Sequence, residues 1–204
     1  MTRPSIVRAT RLGTRLRQRL TSLGRDQHGV AAVEFAFILP ILFMLFVGAI
    51  EFSQAITVDR RVTQVAHSTA DLVTRTDRLC TTDASDMMQI IQQLVAPYNA
   101  SPLRVSIVSV KANINNAANT TVDWSYSHNG GATYAAGASY TLPAGLVTAG
   151  QTVVVAESTY NYTPLIFNYF ISSAMNLTEK SYLKPRGRNC VSWCNINCAT
   201  GTPF

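Results

Sequence analysis

An α+β fold carried on one long N-terminal transmembrane helix is predicted by three features of the sequence. Residues 30–50 (VAAVEFAFILPILFMLFVGAI) are apolar or small at every position except Glu34. Period-two strand patterns recur from residue 103 onward, and 204 residues hold one modest domain plus attachments. The helix should continue beyond the membrane and carry a small antiparallel sheet packed on it.

Charge is distributed unevenly. The chain holds 17 Lys and Arg against 11 Asp and Glu, a net +6, yet residues 1–29 alone contain seven arginines and one acid, Asp26. That arm accounts for the whole excess, so the body is neutral and lacks the basic face of a nucleic-acid binder. With 14% charged and 47% hydrophobic residues, the chain is too apolar to be wholly disordered and low in charge for a soluble enzyme.

At the helical rise, residues 30–50 cover about 30 Å, the thickness of a bilayer core. An ordinary cleaved signal has an apolar stretch of about 7–15 residues, which is shorter. The competing readings are a buried core helix, or a long signal peptide cut near Ser53-Gln54-Ala55. The arginines precede the span, and Arg60 and Arg61 follow it only with Asp59 beside them, so the arm belongs on the cytoplasmic side and the rest is exported. Two residues are unusual for a simple anchor. A carboxylate such as Glu34 costs up to about 2.5–3.5 kcal/mol near the centre of a span and less toward its edge, so it needs hydration, a partner or a task. Pro40 removes the helical hydrogen bond to Ala36 and predicts a kink or local unwinding.

Val58, Val62, Val65, Thr69 and Leu72 recur at spacings of 4, 3, 4 and 3, which extends the helix to about Arg75 with one apolar seam. A second helix fits Asp83 to Ala96, with Asp83 as N-cap, an apolar face of Met87, Ile90, Ile91, Leu94 and Val95, and Pro97 as terminator. Strands fit Leu103 to Val110, the stretch in which Val122, Trp124 and Tyr126 alternate with polar residues, and Thr152 to Tyr162. Asn129-Gly130 supplies a tight turn. Residues 129–150, rich in Gly, Ala, Ser and Thr, read as hairpin tips or loop. Pro164 to Leu177 is apolar and aromatic but too short and too polar to cross a bilayer; it either covers the sheet, the preferred reading, or lies on the membrane surface.

All four cysteines, Cys80, Cys190, Cys194 and Cys198, follow the span, on the side where disulfides persist. Two bridges are expected; three connectivities are possible, and one bridge from Cys80 to the tail plus one within the tail is the preferred guess. The rival is metal binding by the last three, but zinc sites favour shorter paired spacings and His28, His67 and His128 are dispersed. No metal site is therefore assigned. There is no Gly-rich phosphate loop, nucleophile elbow or HExxH, so no catalytic residue and no cofactor is assigned either.

Gly29-Val30-Ala31-Ala32-Val33-Glu34-Phe35, then Ala36 to Pro40, then Ile50-Glu51-Phe52, resembles the amino-terminal signature of TadE-like proteins, minor pseudopilins of tight-adherence (Flp-type) pilus systems. A weaker likeness lies in Glu157 to Pro164 and in Tyr182-Leu183-Lys184-Pro185-Arg186, which resemble the family's closing strand and terminal basic-Pro-Arg. Residues 80–150 match nothing in it. The resemblance implies a single-pass, pilin-like protein in the bacterial inner membrane, with a non-enzymatic role in pilus assembly. It implies a prepilin-peptidase processing motif at Gly29, Val30, Glu34 and Phe35, with cleavage after Gly29. It also implies as partners membrane lipid, the prepilin peptidase, the major pilin, other minor pseudopilins and the inner-membrane assembly platform. Glu34 could then pair with the new Val30 amine of a neighbouring subunit. The expected organisation is a cytoplasmic leader at 1–29, the transmembrane helix at 30–51, a helical extension at 52–79 and an exported head at 80–204, periplasmic or extracellular. One alternative is a membrane-tethered exported enzyme or binding domain without a pilus role; another is an arm that contacts the membrane surface or nucleic acid rather than being removed.

Overall fold

The computed structural model describes residues 29–166, 168, 174–194, 196 and 198; the arginine-rich arm lies outside them. The chain divides into two compact units, Met1–Ala49 and Ile50–Phe204. Helix α1 (Val30–Thr74) begins in the first and ends in the second, and it runs unbroken through Pro40. No local unwinding accompanies that proline. In the first unit residues 30–46 are exposed on every side, and the most apolar 18-residue window of α1 has a mean hydropathy of 2.6. One N-terminal helix is thus long and apolar enough to cross a membrane.

From residue 50 the character of α1 changes to one-sided. Val58, Val62, Val65, Thr69 and Val73 are fully buried, whereas Leu72 faces outward. The expected seam used a strict seven-residue repeat; a straight helix drifts by about 20° per heptad against that repeat, so its last contact falls on Val73 instead. After α1 come β1 (Arg78–Leu79) and α2 (Thr81–Ile91), which tightens into a 3₁₀ turn over Gln92–Val95. The N-cap of α2 is Cys80 rather than Asp83; Asp83 is the third helical residue, and its carboxylate accepts the Cys80 N–H at 3.1 Å. The buried face of α2 is Ala84, Met88, Ile91 and Val95, spaced 4, 3 and 4, and Ile90 is left 68% exposed. Of the expected face, Ile91 and Val95 are core residues and Met87 and Leu94 pack half-buried against the same core; Ile90 is the one that faces out, and Ala84 and Met88 join them.

The sheet contains β2 (Leu103–Ala112), β3 (Thr120–His128), β4 (Thr152–Tyr162) and β5 (Met175–Leu183), antiparallel throughout in the order β3-β2-β4-β5. Its first face meets α1 and α2 in one core, to which Val105, Ile107, Trp124, Val154 and Tyr160 contribute. The Ser158 hydroxyl, buried in that contact, donates to the Val62 carbonyl at 3.0 Å, which fixes β4 against α1. The expected single face of Val122, Trp124 and Tyr126 does not form. Ser109 pairs with Trp124 but Val110 with Val122, so Asp123 is an extra residue in a β-bulge, and Val122 turns to the opposite face.

That opposite face has its own core. Residues 131–150, anticipated as tips or loop, fold over it and bury Tyr140 and Val147 against Val108, Val110, Val153 and Val155. The entry is the Asn129-Gly130 turn, whose φ angles of 52° and 75° are those of a type I′ turn, closed by Gly131 N–H to His128 C=O at 3.1 Å. Gly131 is obligatory for another reason: a Cβ there would lie 2.6 Å from the Val105 carbonyl oxygen. The chain then returns along the outer edge of β3, where Val122 N–H donates to Ala138 and Tyr140 N–H to Thr120, so that edge is covered. Leu177 belongs to β5 and packs into the first core, and Leu165 and Ile166 are exposed; residues 167 and 169–173, on which the expected cover over 164–177 also rests, lie outside the described residues.

Shortening Ile107, which lies wholly inside the first core, is expected to cost about 2–5 kcal/mol as Ile107→Ala. Ile90→Ala on the outer face of α2 should stay within about 0.5 kcal/mol of the parent. Urea unfolding of both variants followed by circular dichroism measures the two costs.

Candidate functional site

The sequence-defined site occupies the start of α1. Gly29 immediately precedes the helix and Val30 opens it. A Cβ built on Gly29 would meet nothing within 4 Å, and its φ is not in the left-handed region. Neither backbone conformation nor packing within the described residues therefore requires glycine there. Glu34 and Phe35 follow on exposed positions of the helix, and among the described residues Glu34 has no hydrogen-bond or ion-pair partner. Glu34 is thus the one acid in an apolar run, with its side chain presented outward.

In the second unit, Glu51 of the stronger sequence likeness and Arg186 of the weaker one tie α1 to the chain that follows β4 and β5. Glu51 is buried, and its carboxylate accepts the amide N–H of Ile166 just beyond β4. At the other end of the helix the Arg186 amide donates to the Thr74 carbonyl at 2.9 Å, and its guanidinium pairs with Asp71 at 2.5 Å. Arg75 holds the second oxygen of Asp71 at 2.6 Å. The basic-Pro-Arg segment therefore closes the C-terminus of α1, where free carbonyls and the helix dipole favour a cation.

Glu157 was not predicted as a site residue. It lies on the second face of β4, nearly buried, and accepts hydrogen bonds from the hydroxyls of Tyr134 at 2.8 Å and Tyr140 at 2.6 Å and from Lys180 Nζ at 2.6 Å. Burial alone would raise its pKa, but the hydrogen bonds from Lys180, Tyr140 and Tyr134 outweigh burial and hold it below the ordinary 4.5. The same burial, with the hydrogen bond to Glu157, pushes the Tyr134 hydroxyl up to about 12 and raises that of Tyr140 further. All four groups are mutually satisfied, so the cluster is built to hold the 131–150 cover rather than to release a proton. A charged residue inside the run TVVVAESTYNY was the one sequence signal that could have revealed it.

The tail is tied to the start of α2. Strand β6 (Ser192–Trp193) pairs in parallel with β1, and disulfides join Cys80 to Cys194 and Cys190 to Cys198. Closing a 114-residue separation removes about 4–5 kcal/mol of chain entropy from the unfolded state in the loop-closure model. Trp124 donates from its indole to the Val191 carbonyl at 2.7 Å, and its ring stands 5.1 Å from that of Trp193. Beside it Asp123, the bulge residue, has its carboxyl raised by burial, with Lys111 partly offsetting this. His67 is engaged by Ser181 at 2.8 Å and His128 by Gln92 at 2.5 Å, on different elements. Among the described residues no three His, Cys, Asp or Glu side chains gather as a metal site.

The Glu157 cluster sets a pH dependence. A carboxyl with a lowered folded-state pKa stabilises the fold above its unfolded pKa, and this contribution vanishes as pH falls through the folded value. Glu157→Gln should therefore lower Tm at pH 7, and the gap to the parent should narrow on acidification below the ordinary carboxylate range. Thermal melts at a series of pH values test this.

No curated protein and no solved structure matches the chain. Residues 29–71 match the family model described as TadE-like protein, so the chain carries a TadE-like segment that associates it with the Tad pilus.

Proposed function

We propose that this protein is a minor pseudopilin acting in the assembly of tight-adherence pili, without enzymatic activity of its own. In this reading residues 1–29 are a cytoplasmic leader, and prepilin peptidase cleaves between Gly29 and Val30. Residues 30–51 hold the chain in the bacterial inner membrane, and the head lies in the periplasm or outside the cell. The major pilin, other minor pseudopilins and the inner-membrane assembly platform are its partners. The exported side suits the two disulfides.

The observation that carries this reading is the pairing of an unconstrained Gly29 with an outward-facing Glu34 in a run that is otherwise apolar. A glycine that the fold does not need is one that another protein can require, and a cleaving enzyme must approach the backbone closely. Cleavage creates a cation, the Val30 amine, and Glu34 of an adjacent subunit is an acid able to meet it. In a low-dielectric setting such a pair is far stronger than in water, and losing one member strands the other. It would set the register of neighbouring helices, and Pro40, which frees the Ala36 carbonyl, offers a place for the packed helix to bend.

Glu34→Gln keeps the shape and removes the charge. The variant should reach the membrane in parental amounts while surface pili, counted by electron microscopy in the native host, fall severalfold. Parental piliation in the variant contradicts the proposal.

A further inference from the structure

The head has two distinct ends, fixed by how α1 and β4 run against each other. Thr74 meets Arg186 at the far end, Val62 meets Ser158 in the middle, and Glu51 meets Ile166 at the near end. At the near end several apolar side chains face outward instead of into either core. Leu165 is 69% exposed and Ile166 45%, and Phe52, next to Glu51 in the chain, is 69% exposed. Met175, the β5 residue paired with Tyr162 at the mouth of the β4–β5 connection, is exposed as well.

Single exposed apolar residues are ordinary. What distinguishes these is their level. The apolar run ends at Ile50, and Glu51 is the next residue. Because the Glu51 carboxylate takes the Ile166 amide, Leu165 and Ile166 are held at the height on α1 where that run stops. If residues 30–50 cross a bilayer, this height is the lipid headgroup boundary, and apolar side chains held there are removed from water by entering it. The buried Glu51 contact also restricts the swing of the segment away from that level.

We propose that the Leu165–Ile166 segment docks the head on the bilayer by inserting into the lipid interface, with Phe52 and Met175 exposed at the same end. This rests on the reading of residues 30–50 as a membrane span, and it adds a second, side-chain-specific contact between the exported head and the lipid. The occupant is lipid rather than another protein, because the level of the patch is set by the end of the span itself. The far end offers a matched control. Ile114, between β2 and β3, is 74% exposed, and β4 separates the two ends of the sheet by about 33 Å at the strand rise.

The test uses the full chain reconstituted in phosphatidylcholine vesicles, with and without lipids brominated near the headgroup end of their acyl chains. Three tryptophan variants are compared after subtracting the parent emission from Trp124 and Trp193: Leu165→Trp, Phe46→Trp within the span, and Ile114→Trp. The added emission of Leu165→Trp and Phe46→Trp should fall by roughly half or more in brominated vesicles, since interfacial side chains sit about 5–10 Å into the boundary, and Ile114→Trp should not change. Quenching of Phe46→Trp without Leu165→Trp overturns the docking and leaves the span intact; a blue-shifted, unquenched Leu165→Trp would then mean that another part of this chain, or a second copy of it, covers the segment. Loss of quenching at both positions overturns the span and the docking together. Equal quenching of Leu165→Trp and Ile114→Trp also overturns the docking, because the contact would not be confined to the near end.

Discussion

Everything in this molecule depends on where one helix stops being apolar all round and becomes apolar on one side. Through Ile50, α1 has no polar face apart from Glu34 and is exposed on every side up to Phe46, the character of a helix able to cross a membrane. From Val58 to Val73 it carries a single buried stripe, and the sheet supplies the matching surface. The change occurs at Ile50–Glu51, and Glu51 is itself consumed in a contact with the chain beyond β4. A stretch long and apolar enough to cross a membrane and a scaffold for the sheet are thus built from one continuous element, and removing the sheet would leave the second half of α1 with its valines exposed.

The sheet is covered on both faces, by helices on one and by an irregular segment on the other. Helices bring their own backbone hydrogen bonds, whereas residues 131–150 must find theirs. They do so on the open edge of β3 and through serine hydroxyls: Ser125 bonds to Tyr134 at 2.7 Å and Ser127 to Gly131 at 2.7 Å. Glu157 then pins the two tyrosines of the cover to β4 and holds Lys180 of β5. Removing one partner from such a buried cluster is more costly than never having built it, because the others are left in low dielectric without compensation.

Much of this was legible in the sequence, for identifiable reasons. The extent of α1 could be read because apolarity and then a four-three spacing run through it, and β4 could be read to its ends because Thr152 to Tyr162 is an uninterrupted strand-forming run. The bulge at Asp123 could not be read, since the residues around it alternate perfectly and only cross-strand pairing reveals the extra one. The face of α2 is legible at Met87, Ile91, Leu94 and Val95, while Ala84, entirely enclosed, leaves no mark because alanine carries little weight in a hydrophobic pattern. The cover was hidden by its composition: Tyr140 and Val147 are scattered among Gly, Ala, Ser and Thr, with no period to connect them. The β1–β6 pair is two residues long on each side, too short to leave a pattern. At the candidate site, Gly29 and Glu34 stood out because each breaks the local rule, a glycine before a helix and an acid in an apolar run. Glu157 is also an acid in an apolar strand, but its partners come from residues 23 positions away on either side, a distance that sequence alone does not bridge.

The proposed role requires a mature chain that begins at the first residue of α1 and stays in the membrane. Mass spectrometry of the protein's N-terminus, taken from the membrane fraction of its native host, measures this directly. The account predicts a chain starting at Val30 and recovered with the membrane; a chain that keeps residues 1–29, or one that starts near Ile56 and is recovered in soluble form, contradicts it.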